Sequence, residues 1–67
     1  MDENWQEVFS TSNSWQAEMA KQILEENEIP AVVINRKDSS YLFGEVVVYA
    51  EIKNAERAKQ LLKDLQG

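Results

Sequence analysis

The stretch "NRKDSSYLFG", residues 35 to 44, gathers more polar chemistry than any other part of this chain. Arg36 and Lys37 are adjacent cations, Asp38 follows them, and Ser39 and Ser40 are adjacent hydroxyls. Tyr41 and Phe43 come just behind. Two cations, two hydroxyls and the backbone amides after Asp38 would suit a small anion. The same residues would also serve as a contact for a protein partner, because loops carried on a rigid scaffold often do. The third reading is a plain hairpin connection. Asp and Ser bond their own backbone in turns, Tyr41 and Phe43 would close the end of a core, and Gly44 would supply a backbone shape denied to other residues. Common hairpin loops have about two to five residues, and this one is longer. The three readings rank as connection first, partner contact second and anion site third.

Other chemistry is thinly supplied. The chain has no cysteine and no histidine, so disulfides and the usual thiolate or imidazole zinc sites are excluded. Catalysis would have to rest on Ser, Lys, Tyr or carboxylates, and no set of these is assembled by spacing. The only glycines are Gly44 and Gly67, which rules out a glycine-rich phosphate loop. The run "EENE", Glu25 to Glu28, is the one cluster of carboxylates. A hard cation needs six or more oxygens in a shaped loop, so this run reads as a solvated helix end. No enzyme activity, metal or cofactor is expected.

Charge narrows the partners. The net charge is −5, and residues 1–28 hold seven acids against one base. Proteins that displace counterions from phosphates need a basic face, so neither nucleic acid nor an anionic membrane is an expected partner. No apolar run approaches the roughly 18 residues that span a bilayer. The acidic start "MDENWQEV" does not resemble a secretory signal. A cytoplasmic location is expected.

The elements that would position these residues follow from patterning. A chain of 67 residues implies one domain, 1–67. "WQEVFS" reads as a first strand, and plain alternation puts Trp5, Glu7 and Phe9 on one face. Asn13 and Gln16 are spaced for a capping box, with Ser12 and Ser14 as rival caps. From there to about Glu26 an apolar arc of Trp15, Ala17, Met19, Ala20, Ile23 and Leu24 predicts a helix. Trp15 is expected in the core. Pro30 forbids another turn and makes Ile29 extended. "AVVIN" and "EVVVYA" are two further strands, and their unbroken apolar runs suit buried positions. A last helix is expected from Lys53 or Asn54, with Ala55, Ala58, Leu61, Leu62 and Leu65 on its apolar side.

The order β-α-β-β-α, folded as one sheet with both helices on one face, gives an α+β fold. A right-handed crossover leaves room for the third strand between the first two. The sheet order is then 1-3-2, all antiparallel. This is a ferredoxin-like arrangement without its fourth strand. The missing strand would have flanked the first, so the first strand should be an open edge, and open edges invite pairing. A homodimer, or pairing with another protein, is expected through Trp5, Glu7 and Phe9.

Three stretches, "WQEVFSTSN", "AEMAKQILEENEIPAVV" and "NRKDSSYLFGEVVVYA", together resemble the family labelled putative prokaryotic signal-transducing protein. The likeness covers nearly the whole chain, and the third stretch is its most specific part. It implies a ferredoxin-like fold close in shape to the nitrogen-regulatory PII proteins, and a regulatory role in bacteria. It implies no PII ligand, because the long PII signalling loop has no counterpart here. Relatives often carry glycine just before the isoleucine at the helix exit. Here that residue is Glu28 after Asn27, so the left-handed cap is expected to shift to Asn27. The reading is a non-catalytic interaction or regulatory module. The alternative is a sensor for a small anionic metabolite at residues 35–44.

Overall fold

The computed structural model describes residues 4–36 and 44–66. The elements run β1 (Trp5–Thr11), α1 (Ser14–Glu26), β2 (Ala31–Arg36), β3 (Glu45–Glu51), α2 (Ile52–Leu61) and α3 (Lys63–Gln66). The three strands form one antiparallel sheet in the order β1-β3-β2. This is the expected α+β architecture, compatible with a ferredoxin-like fold. Central β3 takes the most apolar run, and Val46, Val47 and Val48 are buried. Edge strand β2, equally apolar in sequence, is only half-buried over Ala31–Ile34. An unbroken apolar run therefore marks the centre in one case and a margin in the other.

Helices occupy one face. Val46, Val48 and Ala50 of β3 share a core with Ala17, Ala20 and Leu24 of α1 and with Ala55 and Ala58 of α2. Leu65 of α3 packs against the same core. Alanines at these contacts let the helix backbones lie close to the sheet, as dense packing requires.

A bulge decides the faces of β1. Glu7 pairs with Tyr49 and Phe9 with Val48, leaving Val8 as an extra residue between them. The extra residue reverses the alternation. Val8 and Phe9 both enter the core, at 3% and 4% exposure. Trp5, Glu7 and Ser10 lie on the face away from the helices, opposite Glu51, Tyr49 and Val47. The expected grouping of Phe9 with Trp5 and Glu7 is thus corrected, since plain alternation fails at the bulge.

The helix ends carry three more corrections. Asn13 caps α1, its side chain accepting from the Trp15 N–H at 2.9 Å. Gln16 does not close the capping box; its side chain meets the Thr11 hydroxyl at 2.8 Å and the Leu65 carbonyl at 3.5 Å. Trp15 is 68% exposed rather than in the core, because it sits on the first turn of α1, at the edge of the apolar arc. At the exit, Glu28 itself adopts φ 63° and Asn27 stays at φ −101°. The Ile29 N–H reaches Leu24 O at 2.9 Å and the Glu28 N–H reaches Glu25 O at 3.0 Å. These two bonds define a Schellman cap, and its hydrophobic contact joins Leu24 to Ile29. Both side chains are fully buried. That register fixes the left-handed residue at 28, so the cap does not shift to Asn27. Helix α2 starts at Ile52, and the helical path breaks at Leu62 before α3.

Candidate functional site

Of the stretch 35–44, the structure describes only its two ends. Asn35 and Arg36 close β2 and are exposed, and Gly44 precedes β3. Lys37, Asp38, Ser39, Ser40, Tyr41 and Phe43 lie outside the described residues. Arg36 pairs with Glu45 in register and points away from the helices. Its Nη2 donates to the Tyr49 hydroxyl at 3.0 Å.

That bond reveals a surface that plain strand reading had not picked out. Positions 32, 34 and 36 of β2 face the same way as 45, 47 and 49 of β3. Among the described elements no helix lies over this side. Its apolar members are Trp5, Val32, Ile34, Val47 and Tyr49. The register lets Arg36 and Tyr49 meet only above the Ile34–Val47 pair, and Val47 is fully buried beneath. The guanidinium thus covers apolar surface with its stem while its head holds a phenol. The rim of this face is acidic, with Glu7, Glu45 and Glu51. The signal was present in the sequence: once the order 1-3-2 is set, alternate residues of β2 and β3 must turn away from the helices.

The candidate self-association residues fall apart in space. Trp5 is half-buried and Glu7 exposed on the open face, whereas Phe9 is enclosed by the core. Phe9 offers no side-chain surface to a partner. Along the outer margin of β1 runs a cleft of about 610 Å³, lined by Glu7 to Ser10, Gln16, Lys59 and Leu65. It lies on the margin where a fourth ferredoxin-like strand would pair. Among the described residues no group of three or more Asp or Glu side chains is gathered to hold a metal ion. No described helix is long and apolar enough to cross a membrane.

A model of the family described as "Putative prokaryotic signal transducing protein" matches residues 5–66. The chain belongs to this family. Every described element, from β1 to α3, falls inside the match, so the family label applies to the whole sheet and its helices. Comparison with curated proteins and with solved structures returned no match. The family's description suggests a signal-transducing role and leaves the chemistry of the site to be argued from the residues.

Proposed function

We propose that this signal-transducing family member is a non-catalytic interaction module of the bacterial cytoplasm, and that it works by pairing one margin of its sheet with another chain. The supporting observation is the three-stranded sheet with strands at both margins. Backbone amides and carbonyls along such a margin form a template for a further strand. A chain of this size also gains from association, since small cores supply little stability on their own. The first partner proposed is a second copy.

The competing reading is a sensor of small anions near Arg36. The Arg36 guanidinium is already engaged with the Tyr49 hydroxyl of its own sheet, which favours the interaction reading. Light scattering at tens of micromolar is expected to give a dimer mass, and a strict monomer would remove self-association. A thermal-shift panel of nucleotides and carboxylic acids is expected to give no response. A saturable shift that disappears in Arg36→Ala would replace this proposal with the sensor.

A further inference from the structure

The two margins of the sheet are not equivalent. At β1 the Val8 bulge breaks the register, Glu7 projects an exposed carboxylate, and the chain's last turn lies close by. Bulges, charges and covering chain are the devices by which folded sheets block an edge. Among the described residues, strand β2 shows none of them along Ala31–Ile34. It pairs with β3 in unbroken register from Ala31↔Ala50 to Arg36↔Glu45. Four consecutive apolar residues stand half-buried on this margin. A regular, apolar, β-branched edge pairs without limit unless a closed symmetry saturates it.

The ends of β2 carry opposite charge. Before it lie the exposed carboxylates of Glu25 and Glu28, which with Ile29 and Pro30 line a hollow of about 260 Å³. At its end lies the exposed guanidinium of Arg36. Antiparallel pairing of two copies of β2 brings the cationic end of each to the acidic end of the other.

We propose that β2 pairs with β2 of a second copy, antiparallel about a two-fold axis perpendicular to the sheet, giving one continuous six-stranded sheet. This deepens the proposed function and rests on it. The axis keeps both helix layers on one side, so opposed residues must share a face. Centring on Val33 sets Val33 against the partner's Val33 and Val32 against the partner's Ile34, apolar on apolar. Centring on Ile34 sets Val32 against the partner's Arg36 and loses that match. The first register is the one the sequence supports. It extends the apolar band of Tyr49, Val32 and Ile34 across the axis. It also sets the Arg36 end of each β2 opposite the partner's Pro30, two residues along the chain from the exposed Glu28.

The test uses the full chain. In a mixed sample of differently labelled protein, intermolecular methyl contacts are expected between Val32 and Ile34. Arg36→Glu should weaken the dimer on the order of tenfold, because each copy then opposes like charges. Adding Glu28→Lys to Arg36→Glu should restore it. Glu7→Lys, at the other margin, should leave the dimer unchanged. All three substituted residues lie on the surface, and the folded state of each variant is checked by circular dichroism. A dimer whose intermolecular contacts fall on Glu7–Ser10 would overturn the β2 assignment and leave the interaction reading standing. Oligomers that keep growing with concentration would overturn the closed two-fold. A monomer at tens of micromolar would remove self-association altogether.

Discussion

Glu28 sits in a left-handed conformation, φ 63°, which costs an L-residue with a Cβ roughly 1–2 kcal/mol. The residue is held there by two backbone bonds that only this geometry permits. Its carboxylate also stands at the negative end of α1 beside Glu25 and Glu26, with no basic residue in the last turn. Both effects act in one direction. Glu28→Gly is expected to stabilise the fold by about 0.5–1 kcal/mol, less than the full relief because glycine loses more entropy on folding. For a domain of this size that is a rise in Tm of about 2–8 °C, read by thermal melting. At the other end of α1, Asn13 satisfies the Trp15 N–H. Asn13→Ala should lower stability by about 1 kcal/mol. Both ends of α1 were readable from sequence in outline. Asn13 was visible by type and place as one of three adjacent cap candidates, beside Ser12 and Ser14. The choice of Glu28 over Asn27 was not, because the Schellman register is set by burying Ile29 on Leu24, a contact no local pattern displays.

At the scale of elements, the strands and helices were legible because their apolar periods differ, and the order 1-3-2 followed from connection rules. The β1 bulge was not legible. "WQEVFS" alternates equally well with or without an extra residue, and only the pairing to β3 shows that Val8 is the insertion. Trp15 was misread for a related reason: an apolar arc says where a residue points but not whether the sheet extends beneath the first turn. The proposed contact region was only partly legible, since Arg36 is described and residues 37–43 are not. The bulge has a consequence that can be measured. Deleting Val8 would restore strict pairing while keeping Phe9 on the helix side. The loss of one buried valine should cost about 1.5–3 kcal/mol, lowering the urea midpoint. It should also leave β1 flat, so the variant is expected to associate more at equal concentration, seen by light scattering. A deletion variant that is destabilised yet no more associative would show that the bulge does not guard this margin.

Taken whole, the molecule is a thin two-layer slab, 34 × 27 × 16 Å. Of its thirteen buried apolar residues among those described, five are alanines. Such a core is close-packed but poor in large side chains, and Leu24, Ile29 and Leu62 are the largest that are fully enclosed. A chain of 67 residues is expected to have a stability of about 3–10 kcal/mol. Leu24→Ala removes a side chain that joins the core to the α1 cap, at a cost of about 2–5 kcal/mol. The loss takes a large share of the total, so the isolated variant should melt well below the natural chain. Association changes that outcome. If folded chains pair through β2 and unfolded chains do not, the folded state is favoured by mass action. Both the natural chain and Leu24→Ala should then melt at higher temperature as concentration rises by about a hundredfold. The proportional effect should be greatest in the variant, where the margin is smallest. Differential scanning calorimetry across that range reads it directly. Midpoints that stay fixed for both would mean that the small core stands by itself and that the β2 margin contributes nothing to the stability of the fold.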